Sequence, residues 1–134
     1  IHGNTATAVD KLAEILKAKG CPKVAMADLT RDDMAEALED AFRYGKVVLA
    51  AASYNAGVMP AMEDFLHHLK GKNYQNRTVA LVENGSWAPT AARTMREVLG
   101  QMKNITVVEP TVTIRGALKD SDLPALEALA DAIL

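Results

Sequence analysis

Val47-Val48-Leu49-Ala50-Ala51-Ala52-Ser53-Tyr54-Asn55-Ala56-Gly57-Val58-Met59-Pro60 runs from an apolar stretch through a loop into a helical pattern. A short continuous apolar run bounded by turn residues reads as a buried strand. Proline at the first helical position is a start signal, because the N–H it lacks would find no partner inside the helix. The stretch is therefore a strand–loop–helix crossing with a hydroxyl, an amide, a phenol and a glycine gathered in its loop. In an open α/β sheet, ligands bind where such loops leave the carboxyl ends of strands.

Working outward, the same layout returns. Met62, Phe65, Leu66 and Leu69 sit at helical spacing, and Gly71 is the expected stop. Arg77-Thr78-Val79-Ala80-Leu81-Val82 reads as a second buried strand, entering the loop Glu83-Asn84-Gly85-Ser86-Trp87-Ala88-Pro89. A helix follows with Ala92, Met95, Val98, Leu99 and Met102 inward. The strand Ile105–Val108 is expected to continue past Pro110 to Val112 and Ile114, and the proline marks it as an edge or bulged strand. Residues 121–134 close the chain as a helix with Leu123, Leu126, Ala130 and Ile133 apolar. Upstream, Thr5, Ala8, Val9, Leu12, Ile15 and Leu16 predict a helix ended by Gly20. A short strand is expected over Lys23–Asp28. Thr30 then caps a helix with Asp32 and Asp33 in its first turn, where the helix dipole favours acids. Met34, Leu38, Ala41 and Phe42 form its buried stripe, and Gly45 ends it.

Strands alternating with helices predict a parallel sheet with helices on both faces. At 134 residues the chain is expected to be one domain, 1–134. A doubly wound, five-stranded sheet of order 2-1-3-4-5 fits this alternation. On that plan Ile1-His2-Gly3-Asn4 is the loop after a first strand, which is missing upstream of residue 1. That strand would lie inside the sheet, and without it each orphaned backbone group costs about 1–3 kcal/mol. The expectation is that residues upstream of Ile1 complete the domain.

Composition narrows the function. A net charge of -2, with 24% charged residues spread along the chain, argues against a nucleic-acid partner, which favours a basic stripe. No apolar run approaches the ~20 residues a membrane span requires, and no signal peptide is expected. The single Cys21 excludes an internal disulfide and points to a reducing, cytoplasmic setting. His67 and His68 are neighbours on one helix and point apart, with His2 remote, so no metal cluster is expected.

Three loops remain. Gly3-Asn4-Thr5 at a helix start offers N–H groups, an amide and a hydroxyl, a set that holds a phosphate without lysine or arginine. The plain alternative is a helix cap. In the second loop Gly57 permits close approach of backbone to a ligand. Val58 and Met59 offer apolar surface, and Tyr54 and Asn55 polar partners; otherwise the loop is an ordinary connection. In the third loop Trp87 can stack on an aromatic ligand, or else cover the sheet edge. No G-x-G-x-x-G dinucleotide fingerprint is present.

The combination Gly3-Asn4-Thr5, Ser53-Tyr54-Asn55-Ala56-Gly57-Val58-Met59-Pro60 and Asn84-Gly85-Ser86-Trp87 resembles the flavodoxins. More narrowly, it resembles the C-terminal flavodoxin-like domain of A-type flavoproteins, the flavodiiron proteins. The stretch Met62–Lys70 adds to the likeness. The resemblance implies bound FMN. Its phosphate would lie on Ile1, His2, Gly3, Asn4 and Thr5. Its ring would lie between Ser53, Tyr54, Asn55, Ala56, Gly57 and Val58 on one side and Glu83, Asn84, Gly85, Ser86 and Trp87 on the other. Two departures stand out: Ala56 replaces the first glycine of the family's Tyr-Asn-Gly-Gly, and Gly85-Ser86 replaces the Tyr-Gly before its tryptophan.

By this resemblance the chain is an electron-transfer module in which no side chain acts as catalytic acid or base. It would pass electrons from rubredoxin or a reductase to a di-iron domain that this chain does not contain, in a homodimer. The alternative is an NAD(P)H-dependent flavin or quinone reductase of the same fold, with Arg93 or Arg115 near a nicotinamide pocket. A phosphoryl-receiver domain would need acids at the strand ends, where this chain has Ala52-Ser53 and Glu83-Asn84.

Overall fold

The computed structural model describes residues 2–21, 24–26, 34–54, 57–58, 60–85, 91–109, 111–115 and 118–134. In chain order it forms α1 (His2–Ala18), α2 (Met34–Arg43), β1 (Lys46–Tyr54), β2 (Gly57–Val58) and α3 (Pro60–Gly71). There follow β3 (Arg77–Asn84), α4 (Ala91–Leu99), β4 (Ile105–Val107), β5 (Val112–Ile114), a 3-10 turn at Asp120–Asp122 and α5 (Leu123–Ile133).

The sheet is built on β3. It pairs in parallel with β1 along seven residues, from Lys46↔Thr78 to Ala52↔Asn84. Its other edge pairs in parallel first with β4, from Arg77↔Ile105 to Val79↔Val107, and then with β5, from Val82↔Val112 to Asn84↔Ile114. β4 and β5 thus form one interrupted strand, the break falling around Pro110, which lies outside the described residues. A proline has no N–H to give to a ladder, so the last strand divides there.

Helices cover both faces. Leu38, Leu49, Phe65, Leu66, Leu69, Val79, Leu81, Met95 and Leu99 form one core, under α2, α3 and α4. Ala8, Leu12, Leu16, Ala80, Val82, Val112, Ile114, Leu126, Leu129 and Ile133 form the other, under α1 and α5. Alternate residues of β3 feed the two cores, as a strand's period of two requires. From Val79 to Asn84 every residue of β3 is buried.

β1 is less covered. Leu49 and Ala51 are buried, but Val47, Val48 and Ala50 are only half-buried. On the side away from β3, its one strand partner among the described residues is β2, which pairs antiparallel with Ser53 and Tyr54 alone. The strand expected over 23–28 is not formed where it is described: Val24, Ala25 and Met26 belong to no strand, and Met26 is 48% exposed. A strand exists only with a partner to receive its hydrogen bonds, and none lies beside this segment among the described residues.

The caps also differ from expectation. Gly20, at φ 98°, ends α1 as predicted, with Cys21 N–H donating to Leu16 O at 3.0 Å and Gly20 N–H to Lys17 O at 3.1 Å. At the end of α3 the left-handed residue is Asn73, at φ 59°, and not Gly71. Tyr74 N–H donates to Leu69 O and Asn73 N–H to Lys70 O, the same pair of bonds two residues later than the glycine suggested. The proposed cap residues Thr30, Asp32 and Asp33 lie outside the described residues.

Candidate functional site

Two registers place the strand ends level. Ala52 stands opposite Asn84, and Asn84 opposite Ile114. The carboxyl ends of β1, β3 and β5 therefore open on one edge of the sheet, and the segments after β1 and β3 leave from neighbouring points.

Side-chain contacts at the opposite edge bring α1 into the same frame. Lys46, at the amino end of β1, donates from Nζ to Leu134 O at 3.1 Å, so the C-terminus of α5 lies at the amino edge. Lys19, just past α1, pairs with Asp131 of α5 at 2.9 Å. The C-terminal end of α1 is therefore at the amino edge too. With 17 residues the helix is about 26 Å long and spans the sheet. Its N-terminal turn, His2-Gly3-Asn4-Thr5, stands at the carboxyl edge beside the strand ends.

The helix begins at His2, so Gly3, Asn4 and Thr5 form its first turn instead of a loop before it. That turn carries no acid, whereas α2 has Glu36 and α3 has Glu63 in theirs. The positive helix end and its unpaired N–H groups are thus left uncompensated by any carboxylate of that turn. An anionic phosphate fits such an end.

The second predicted segment is a strand end folded back on itself. β1 continues through Ser53 and Tyr54, and Gly57 and Val58 pair back on them. Asn55, Ala56 and Met59 lie outside the described residues, and α3 starts at Pro60 as predicted.

In the third segment Glu83 and Asn84 are both buried, each 8% exposed. Glu83 accepts from Ala92 N–H at 3.1 Å with Oε1 and from the Thr113 hydroxyl at 2.6 Å with Oε2. Gly85 N–H donates to Ile114 O at 3.0 Å, extending the ladder one residue past the strands. Ser86 and Trp87 lie outside the described residues, as does Ile1. Sequence reasoning did not foresee Thr113 beside the site; its register opposite Glu83 follows only from the split of the last strand.

Arg93 and Arg115 are exposed. His67 and His68 are on the outer face of α3, 3.8 and 3.7 Å from Glu63 and Asp64 respectively. Among the described residues no group of three His, Cys, Asp or Glu could hold a metal ion. None of their helices is long and apolar enough to cross a membrane.

No protein-family model and no curated protein matches this sequence. Solved structures match its fold. The chain superposes over 99% of its length on rubredoxin oxygen:oxidoreductase from Desulfovibrio gigas, with TM-score 0.90 and 19% identity, covering 33% of that chain. A mutant flavo di-iron protein from Thermotoga maritima matches over 98% of this chain and 32% of its own, with TM-score 0.78 and 25% identity. Flavodoxin 1 from Bacillus cereus matches over 99% of this chain and 90% of its own, with TM-score 0.82 and 16% identity. The chain therefore spans about one third of the length of the two larger enzymes and most of the length of a flavodoxin. Its fold is the flavodoxin-like α/β fold, the one shared by flavodoxins and by one third of these flavodiiron proteins.

Proposed function

We propose that this chain is an FMN-binding electron-transfer domain. One observation supports this above the others: the acid-free N-terminal turn of α1 and the carboxyl ends of β1 and β3 stand together on one sheet edge. A phosphate and a flat apolar ring ask for this pairing of an anion-binding helix end with two loops.

In this reading Ile1, His2, Gly3, Asn4 and Thr5 hold the phosphate through N–H groups, the amide and the hydroxyl. Ser53–Val58 and Glu83–Trp87 flank the ring, with Gly57 letting backbone approach it and Trp87 stacking on it. FMN supplies the redox chemistry when bound, and the chain's residues bind it, orient it and limit water around it. The redox donor is rubredoxin or a reductase, and the acceptor is a di-iron centre in a domain outside this chain, within a homodimer.

The test is reduction of the FMN-loaded chain with NADPH alone and, separately, with reduced rubredoxin. An electron-transfer domain is reduced by rubredoxin and stays oxidised with NADPH. Rapid, stoichiometric bleaching by NADPH would replace this reading with that of a flavin reductase.

A further inference from the structure

A cavity lies at the amino edge of the sheet, where residues 72–76 lead from α3 into β3 and residues 100–104 lead from α4 into β4. Its volume is about 360 Å³, and it is bounded by Lys70, Asn73 and Gln75 from the first connection and by Gln101 and Lys103 from the second. Tyr74, only 1% exposed, is part of its wall. The two connections are tied to each other. Asn76 N–H donates to Lys103 O at 3.2 Å, and Asn104 Nδ2 donates to Asn76 Oδ1 at 2.9 Å. Lys70 Nζ donates to Gln101 Oε1, joining the end of α3 to the segment after α4. The cavity is therefore formed before any ligand enters it.

We propose that this cavity binds a small polyanion of phosphate or polycarboxylate type. None of its lining residues is acidic, and Lys70 and Lys103 form no ion pair among the described residues. Lys72, exposed and next in the chain to Asn73, adds a third positive charge nearby. Gln101 gives its Oε1 to Lys70, which leaves its Nε2 to donate, and Asn73 and Gln75 bring two more carboxamides. Ammonium and amide donors lining one cavity suit a ligand with several anionic oxygens. A lysine near each helix end would also complement the dipoles of α3 and α4, but that role asks for no cavity and no carboxamides. The volume stands near the lower end of the range for ligand sites, about 300–1,000 Å³, which sets the ligand's size. The site is roughly 25 Å from the carboxyl edge along the eight residues of β3, and is independent of the flavin reading.

Pyrophosphate and citrate, titrated separately into the flavin-free chain at constant ionic strength, test the site by amide NMR. Saturable shifts are expected in the backbone signals of residues 70–76 and 100–104 and in the carboxamide signal of Gln101. Lys70→Gln and Lys103→Gln should each weaken binding by roughly twofold to fivefold, the scale of an exposed charge contact, and the two together by more. The same spectra report whether each variant is folded. Tighter binding of pyrophosphate assigns the cavity to phosphate compounds, and tighter binding of citrate assigns it to polycarboxylates. Shifts that do not saturate, or that persist unchanged when both lysines are replaced, overturn the proposal. So do shifts confined to residues 2–5, which would put the anion at α1 and leave the flavin reading standing.

Discussion

Ala52 on β1 lies directly opposite Asn84 on β3 in the parallel ladder. Both strands end within two residues of this pair, β1 at Tyr54 and β3 at Asn84 itself. The loops that follow therefore start from adjacent points about 4.8 Å apart across the sheet. In the proposed function a flavin ring is flanked by the segments that leave these two strand ends.

The proposed stacking of Trp87 on such a ring is open to direct measurement. Trp87→Ala is expected to weaken flavin binding by about 1–3 kcal/mol, the range for stacking of a base on an aromatic side chain. Equilibrium titration followed by flavin fluorescence reads the change. An unaltered dissociation constant would remove Trp87 from the site.

On the side of β1 away from β3 the one strand among the described residues is β2, at Ser53 and Tyr54, which predicts an alternating pattern of amide exchange before them. Thr78 N–H donates to Gly45 O at 3.0 Å, and Lys46 is the register partner of Thr78. In a parallel ladder the amides of Val47, Leu49 and Ala51 then face β3, while those of Val48, Ala50 and Ala52 face away. Hydrogen exchange followed by NMR should find the first set protected and the second exchanging much faster. In β3, flanked on both sides, both sets should be protected. Equal protection along β1 would mean that another strand covers its edge.

Several elements could be read from the sequence because local pattern and burial agree. The structure buries Val79–Val82 of β3, Met62, Phe65, Leu66 and Leu69 of α3, and Leu126, Ala130 and Ile133 of α5, as those apolar patterns select, with Leu123 half-buried. The grouping of three segments at one edge followed from the strand–loop–helix rhythm. Other features depended on partners that no local pattern names. The 23–28 segment has strand composition, yet among the described residues Val24–Met26 has no strand to pair with. The fold-back of Gly57 and Val58 was hidden because Asn55-Ala56 is not one of the glycine-bearing pairs that announce a hairpin. Asn73 caps α3 in the left-handed region that asparagine tolerates, although Gly71 was the stronger local signal. No local pattern names Thr113 as a partner of Glu83, because their pairing depends on the register of β5.

Tyr74 carries a prediction about pH. Its ring is 1% exposed, meets Phe42 edge-on at 5.0 Å and lies under the Arg77 guanidinium at 5.1 Å. Its hydroxyl is buried and has no hydrogen-bond partner among the described residues. Burial pushes the phenol's pKa up from its ordinary value of 10.0, and the nearby Arg77 charge opposes the rise only in part. The neutral phenol is therefore the form that the folded state favours. This contribution is complete below the unfolded pKa and is lost as pH rises through the folded one. Tyr74→Phe should flatten this alkaline loss in denaturant titrations carried from neutral pH to above 10. At neutral pH it should be neutral or stabilising by about 1–3 kcal/mol, because an unsatisfied buried group disappears. A large destabilisation at neutral pH would show that the hydroxyl has a partner.

In the proposed function the first turn of α1 holds the phosphate of a flavin whose ring lies between the segments after β1 and β3. Parallel titration of the flavin-free chain with FMN and with riboflavin tests it most directly. FMN is expected to bind with quenched flavin fluorescence, and riboflavin more weakly by roughly tenfold to a hundredfold, the scale of hydrogen bonds to a charged group. Equal and weak binding of both would contradict it, because neither the helix end nor the loops would then be making a flavin site.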